Sequence, residues 1–289
     1  MLLEPALRAR LERLALVSRR RIRGMWSGRH SSVRLGESLD FADYREYTPG
    51  DDFRRIDHQL WARLGVILVR RYQAEEELTL RLVIDASASM GYEEKLETAR
   101  RLAAMVGYLA LAGGDRVQPI CLGGAGSSRS VIGPLGRHLS SWPQIERWLE
   151  RIEPGGAAAL EEAAIRSGSP GAARALTVLV SDLLDPGWES AIDKLGATGG
   201  GLVLQVLGGG ELDPALVGDL DLIDGETGVR LPFSASVEAL DGYQHRLEEF
   251  LAAVAGRARR SGMDHLVVRA EAGAEEAALR QLAGAGVLR

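Results

Sequence analysis

"LTLRLVIDASASM", residues 78–90, is the stretch that decides the fold of this chain. An apolar run of strand length ends at Asp85, and two serines follow at alternate positions, Ser87 and Ser89. Because side chains alternate in an extended loop, one carboxylate and two hydroxyls point to the same side. These hard oxygen ligands suit Mg²⁺ or Mn²⁺. The alternative is a helix start, in which Ser89 caps a helix that begins near Glu93 and Asp85 favours its dipole.

The chain after this stretch predicts a parallel sheet. Apolar runs of strand length alternate with amphipathic segments of helix length, which favours parallel strands joined by right-handed helical crossovers. The later run "ALTVLVSD", residues 175–182, also ends in an aspartate. Ligands of such sheets lie outside the carboxyl ends of the strands, so we expect Asp85 and Asp182 to meet at one edge. We predict an α/β fold with a Rossmann-like, doubly wound, mostly parallel sheet.

The other predicted elements follow from periodicity. Helices are expected over 94–113, 138–152, 159–167, 187–196 and 237–262. Strands are expected over 115–124, 130–135, 201–209 and 264–270, with a hairpin around 221–233.

Composition is typical of a soluble globular protein. The chain has 289 residues, of which 46% are apolar, and this is enough for a sizeable core. Its apolar stretches are too short or too glycine-rich to cross a bilayer, and its N-terminus lacks the layout of a signal peptide. We therefore expect a cytoplasmic protein. The single cysteine, Cys121, lies in an apolar run and is predicted to pack in the core.

The net charge of −5 is unevenly distributed. Residues 1–34 hold nine arginines against Glu4 and Glu12, so this head carries about +7 and the remainder about −12. One interpretation is an amphipathic helix with its arginines on the wet face. The other is a docking arm for an acidic partner or an anionic membrane surface. Because the basic charge is confined to the head, nucleic acid is not an expected partner.

"VIDASASM", residues 83–90, resembles the D-x-S-x-S signature of von Willebrand factor A domains. The resemblance implies a metal-ion-dependent adhesion site, in which a threonine of a second loop and an aspartate of a third loop join the first-loop residues. Asp182 matches the third-loop aspartate, whereas the second loop has Ala158 where the threonine is expected. The implied ligands of Mg²⁺ or Mn²⁺ are therefore Asp85, Ser87, Ser89 and Asp182. With one ligand missing, the ion would be held weakly, completed by water, or absent.

"FADYREYTPGDDFRRIDHQLWAR", residues 41–63, resembles a block of the bacterial domain-of-unknown-function 58 family. With the first metal loop, this resemblance covers residues 30–130, and His58 departs from the tryptophan that is usual there. It implies a von Willebrand factor A-like domain with a small β-rich module in front, and a partnership with a MoxR-type AAA+ ATPase. The matching residues are Phe41, Tyr44, Arg45, Tyr47, Pro49, Gly50, Asp51, Asp52, Arg54, Ile56, Asp57, Ala62 and Arg63. The expected organisation is a basic helix over 1–28, the module over 29–77 and the main domain over 78–289.

The charges of this block have two interpretations. Acids and arginines this dense must pair if they are buried, so they predict a polar network that fixes the module. The alternative is a surface for a protein partner. The residues concerned are Tyr44, Arg45, Tyr47, Asp51, Asp52, Arg54, Asp57 and Arg63.

Motifs of catalysis are missing from the sequence. Phosphoryl transfer of the haloacid-dehalogenase kind needs D-x-D, and Ser87 stands where its second aspartate would be. The patterns of a nucleophile elbow, a phosphate-binding loop and a zinc protease are also missing. We therefore predict a non-catalytic protein-interaction or adaptor module. Two alternatives stay open, namely a metal-dependent hydrolase that uses Asp85 and Asp182, and a metal-free scaffold.

Overall fold

A computed structural model describes most of the chain in two compact units. The first unit comprises residues 1–20 and 78–289, and the second comprises residues 21–77. The described residues are 1–18, 41–72, 79–125, 130–156, 160, 175–197, 199–224, 228–271 and 273–284.

The first unit is built on a six-stranded sheet. Its strands are β3 (Thr79–Ala86), β4 (Arg116–Gly123), β5 (Val131–Ile132), β6 (Ala175–Ser181), β7 (Gly201–Leu207) and β10 (Met263–Arg269). They lie side by side in the order β10-β7-β6-β3-β4-β5. All neighbouring strands run parallel except β4 and β5, which pair antiparallel. The predicted mostly parallel sheet is therefore confirmed.

Helices cover both faces of this sheet, which explains why its central strands are apolar on both sides. The helices in the described part of this unit are α1 (Pro5–Ser18), α3 (Lys95–Ala112), α4 (Trp142–Glu150), α5 (Trp188–Gly196), α6 (Gly209–Leu212), α7 (Val237–Arg260) and α8 (Ala274–Gly284). On one face α1, α3, α4 and α8 pack on residues such as Leu82 and Ile84, and on the other α5 and α7 pack on Val83.

The basic head contributes α1 to the first unit. Leu3 and Leu11 are fully buried in the core that α3 shares, and the Arg8 guanidinium binds both carboxylate oxygens of Glu146 at 2.7 and 2.9 Å. The amphipathic-helix interpretation therefore describes this part of the head. Arginines 19–34 lie outside the described residues.

The second unit contains a strand pair and a two-turn helix. Strands β1 (Phe41–Glu46) and β2 (Leu68–Tyr72) pair antiparallel. Between them lies α2 (His58–Leu64), whose N-terminus is capped by Asp57 and which ends at Gly65 in the left-handed region, with φ +71°. A 3₁₀ turn, Phe53–Arg55, precedes the helix. Strand β2 lies within the run "LGVILVRRYQ", residues 64–73.

Some predicted elements differ from those observed. The expected strand at 130–135 shrinks to the two residues of β5, because Gly133 and Pro134 follow them. The predicted hairpin is present as β8 (Gly218–Ile223) and β9 (Arg230–Ala235). The helix predicted over 159–167 lies outside the described residues apart from Leu160. In the described ranges, no helix combines the length and the apolar character that a membrane span needs.

Candidate functional site

Two neighbouring strands bring the predicted aspartates to one edge of the sheet. β3 lies directly beside β6, and both carboxyl ends point the same way. The Ser181 hydroxyl at the end of β6 donates to Asp85 Oδ2 at 2.5 Å, and Asp182 follows it in the chain. The structure therefore places Asp85 and Asp182 at the expected sheet edge.

The carboxyl group of Asp85 is held in a buried position. Asp85 is 1% exposed, and its Oδ1 accepts a hydrogen bond from the backbone N–H of Ser87 at 2.8 Å. Burial, followed by the negative charge of Asp182, raises the pKa of Asp85 to about 6. An ionised Asp85 at neutral pH is thus short of compensating positive charge.

The two serine hydroxyls lie side by side. Ser87 Oγ is 3.0 Å from Ser89 Oγ. Ser87 is buried at 1% exposure, whereas Ser89 lies in the 3₁₀ turn Ala88–Gly91 and is half-buried. The pair therefore joins one buried and one half-buried hydroxyl in the loop that follows the buried carboxylate.

The helix-start interpretation of the motif is wrong. Helix α3 begins at Lys95, and its N-cap position is Glu94, which makes no side-chain capping hydrogen bond. The Ser89 hydroxyl faces Ser87 instead of the helix. A 3₁₀ turn inserted after the motif moves the helix start beyond the reach of both serines.

Sequence reasoning missed Lys95. Its Nζ lies 2.9 Å from Asp182 Oδ2 and 2.6 Å from Glu211 Oε1, and the side chain is fully buried. Burial alone would lower the pKa of Lys95, but the two carboxylates outweigh this effect and raise it. One signal was present in the sequence, since the chain has two lysines against 33 arginines.

Strained backbone surrounds this ion pair. Glu93, Glu94 and Leu183 have φ values of +43°, +57° and +62°, and they are the non-glycine residues with positive φ in the described part of the chain. The first two directly precede Lys95, and the third directly follows Asp182. Such strain persists where the surrounding structure enforces it, which is common at functional sites.

The spacing of the two hydroxyls fits a divalent ion, and Asp182 fits it only in part. Adjacent oxygens of an octahedral Mg²⁺ shell lie about 2.9 Å apart, close to the 3.0 Å between the two hydroxyls. Asp182 Oδ2 is already bound by Lys95, and its Oδ1 accepts the Leu184 N–H at 3.1 Å. The described residues contain no group of three or more His, Cys, Asp or Glu side chains that could hold a metal. Any ion there would keep several waters, and Ala158 lies outside the described residues.

The charged block of the second unit forms an internal network. Asp57 Oδ2 accepts the Tyr44 hydroxyl and the Arg70 Nε, each at 2.9 Å. The backbone N–H of Leu60, followed by Arg70 and Tyr44, lowers the pKa of Asp57 to about 2. Arg70 was not among the predicted residues, because it lies on β2 and outside the block.

The other predicted residues of the block divide into paired and exposed ones. Arg45 binds Asp51 at 2.6 Å, and the Tyr47 ring stacks on Phe53 with 5.6 Å between ring centroids. Asp52 accepts the backbone N–H of Arg54, and Arg63 is exposed. In the described part of this unit, the exposed large apolar side chains are Tyr44, Phe53, Trp61, Leu64 and Val66. The block therefore combines a polar network with an apolar surface.

Cys121 packs in the core as predicted. It is 6% exposed, and burial raises the pKa of its thiol to about 12. A thiol of this kind is a poor nucleophile and a poor metal ligand at neutral pH.

Comparison with known proteins gives one family and several relatives. A family model with the description "Protein of unknown function DUF58" matches residues 43–249. Uncharacterized proteins of Mycobacterium bovis and Mycobacterium tuberculosis are 29% identical over 273 residues, which is 93% of this chain and 86% of theirs.

Two solved structures show a distant likeness. A conserved hypothetical protein, BatB, from Bacteroides thetaiotaomicron has a TM-score of 0.44 and 16% identity, over 72% of this chain and 98% of that chain. A von Willebrand factor type A protein from Catenulispora acidiphila has a TM-score of 0.38 and 18% identity, over 49% of this chain and 35% of that chain.

Proposed function

The chain belongs to the DUF58 family, and from this premise we propose that it is a non-catalytic protein-interaction module with a degenerate metal-ion-dependent adhesion site. Its resemblance to that family further suggests that it acts with a MoxR-type AAA+ ATPase in the assembly or maturation of other proteins. The proposed setting is the cytoplasm, as expected from the sequence.

The observation that carries this proposal is the hydroxyl pair next to a buried carboxylate. Ser87 Oγ and Ser89 Oγ lie 3.0 Å apart, and Asp85, which is 1% exposed, accepts the backbone N–H of Ser87. Asp85 and the two hydroxyls would hold a Mg²⁺ or Mn²⁺ ion, with Asp182 contributing through water. Because hydroxyls are neutral, a bound ion keeps enough positive charge to accept an acidic side chain of a partner. Ser89 is half-buried, so this position is open to such a side chain.

The buried aspartates favour interaction over catalysis. Asp85 and Asp182 are each 1% exposed, and the oxygens of both accept hydrogen bonds from the protein. A hydrolase would need one of these carboxylates to reach a substrate or its attacking water. Turnover of a phosphoester panel that disappears in Asp85→Ala would contradict the proposal.

A metal-free scaffold is a second candidate, and Lys95 favours it. The ammonium group already neutralises Asp182 within a hydrogen-bonded ion pair. In this case the partner would recognise the sheet edge through contacts that need no ion.

Calorimetric titration of Mn²⁺ and Mg²⁺ into the metal-stripped protein tests the site. We expect weak binding by the wild type, loss of binding in Ser89→Ala, and tighter binding in Ala158→Thr, which restores the missing threonine. Ser140→Ala, an exposed serine beside α4, is the matched control and should bind as the wild type does. Equal binding by Ser89→Ala and Ser140→Ala would exclude the two hydroxyls as a pair of ligands for the ion.

The proposed partnership needs a separate test. We would measure binding of a MoxR-type AAA+ ATPase to the full chain by calorimetry, with Mg²⁺ and with EDTA. The ion-dependent proposal expects binding that EDTA or Ser89→Ala weakens at least about tenfold. Binding that neither change affects supports the metal-free scaffold, and no binding under either condition contradicts the partnership.

A further inference from the structure

The proposed ion-dependent site gives no role to the buried ammonium group of Lys95. This group lies 2.9 Å from Asp182 Oδ2 and 2.6 Å from Glu211 Oε1, in a side chain that is 0% exposed. Burying a charge costs free energy that an ion pair recovers only in part. Lys95 is also the first residue of α3, where the helix dipole disfavours a positive charge. Stability alone therefore gives little reason for a lysine at this position.

Two independent features indicate that the position is built for a compact cation. The three non-glycine residues with positive φ in the described part of the chain, Glu93, Glu94 and Leu183, flank the two partners of the ion pair. The chain also uses arginine 33 times and lysine twice, yet a lysine stands here. An ammonium group is a compact point charge, whereas a guanidinium is a planar fork that demands two parallel acceptors.

Glu211 joins this ion pair to the neighbouring strand end. Its Oε2 accepts the backbone N–H of Gly208 at 2.7 Å, just after β7, while its Oε1 accepts from Lys95. The Tyr243 hydroxyl of α7 donates to the backbone carbonyl of Glu211 at 2.7 Å. The ammonium group is therefore fixed from two sides, and it cannot leave Asp182 without breaking a second ion pair.

We infer that Lys95 is a built-in cation that occupies Asp182 and thereby sets the affinity of the site for divalent ions. The inference deepens the proposed function. It rests on that function in one respect, namely that the ion binds at the first loop. Lys95 lowers that affinity in two ways, because its charge repels a second cation and because it holds an oxygen of Asp182. Loss of Lys95 releases Asp182, so divalent ions bind more tightly.

The test is calorimetric titration of Mn²⁺ into metal-stripped full-length variants. Lys95→Met removes the ammonium group, and Lys95→Met with Glu211→Gln removes it without changing the net charge of the cluster. We expect both variants to bind Mn²⁺ at least about tenfold more tightly than the wild type. Lys194→Met changes the second lysine of the chain, which lies on α5, and this variant should bind Mn²⁺ as the wild type does. Tighter Mn²⁺ binding by Lys95→Met but not by the double variant would show a general charge effect. It would overturn the inference that Lys95 competes with the ion for Asp182.

Thermal unfolding supplies the second readout. The Lys95 variants should have lower melting temperatures than the wild type in EDTA. Mn²⁺ should raise the melting temperature of the variants by more than it raises that of the wild type. The inference is overturned if the variants are unfolded and Mn²⁺ does not refold them, or if they bind Mn²⁺ no more tightly than the wild type. If the wild type fails to bind and both Lys95 variants bind, the ion of the proposed function is absent from the native protein and the inference stands. If the wild type binds and the variants only equal it, the proposed site stands and the inference falls.

Discussion

The two aspartates of the site are compensated unequally. Asp182 pairs with the ammonium group of Lys95, whereas Asp85 accepts hydrogen bonds from Ser181 and Ser87 but has no ion pair within the described part of the chain. A buried carboxylate without a counter-ion costs free energy whenever it is ionised. Asp85 should therefore destabilise the folded protein at neutral pH unless a cation is present.

Removing this carboxyl charge should change how stability depends on pH. The folded pKa of Asp85, about 6, lies above its ordinary value of 3.8, so between these values the folded state binds more protons than the unfolded state. Stability is therefore lost as pH rises from about 4 to about 6, by about 3 kcal/mol in total. In Asp85→Asn this loss is absent, so the difference in unfolding free energy between variant and wild type should grow over that range. Urea unfolding in EDTA at several pH values measures it.

A matched carboxylate serves as control for the pH experiment. Asp264 is exposed at the start of β10, so Asp264→Asn should not reproduce the growing difference. A constant offset between Asp85→Asn and the wild type from pH 4 to pH 7 would contradict a raised pKa. Mn²⁺ in place of EDTA should flatten the wild-type curve, because a bound cation compensates the charge.

The residues of the site differ in how far the sequence predicts them. Asp85, Ser87 and Ser89 follow from a strand that ends in alternating oxygen donors, and Asp182 follows from a second strand of the same kind. Lys95 could not be recognised from its neighbours, because a lysine at a helix start is usually solvated. Its burial depends on Glu211, which lies more than a hundred residues further along the chain.

At the scale of elements, the close approach of β6 and β7 depends on a glycine. A Cβ at Gly201, the first residue of β7, would lie 1.8 Å from the Thr177 carbonyl oxygen of β6. The same Cβ would meet the side chain of Met263 at 3.1 Å, so β10 is affected as well. The lack of a side chain at Gly201 therefore permits the close approach of strands on one side of the site.

Gly201→Ala should destabilise the sheet. The added methyl group must push two paired strands apart, and we expect a loss of more than about 2 kcal/mol in unfolding free energy. Gly256→Ala, inside α7, is the control of opposite sign, since its Cβ meets only a flexible Arg260 nitrogen at 3.4 Å. It should stabilise the protein by about 0.5–1 kcal/mol, because alanine loses less conformational entropy in a helix. Chemical unfolding compares the two, and equal effects would contradict the clash.

The elements best predicted from sequence are those whose burial leaves a periodic pattern. The central strands read as unbroken apolar runs because helices cover both faces. Helix α8 was not predicted, since its alanine-rich sequence leaves only a weak apolar stripe. β5 was predicted too long, because Pro134 after it has no backbone N–H with which to continue the pairing with β4.

At the scale of the whole molecule, part of the basic head is used inside the fold. Arg8 binds Glu146 of α4, and the carboxylate of Glu12 accepts the Tyr108 hydroxyl of α3 at 2.5 Å. The head therefore contributes to the first unit both ion pairing and apolar packing. A docking role for residues 19–34 toward an acidic partner or an anionic membrane stays a prediction.

If α1 is an integral part of the first unit, a cavity under it should weaken the entire unit. Leu11 is 0% exposed in the core that includes α3 and the sheet, so Leu11→Ala should cost about 2–5 kcal/mol. Arg10→Ala, on the exposed side of the same helix, should change stability by less than about 0.5 kcal/mol. Hydrogen exchange distinguishes a local from a global effect. We expect Leu11→Ala to lower hydrogen-exchange protection in β7 as much as in α3, the helix that packs against α1. Loss of protection confined to α1 would instead show that this helix unfolds independently of the rest of the unit. Its arginines would then be available to a partner.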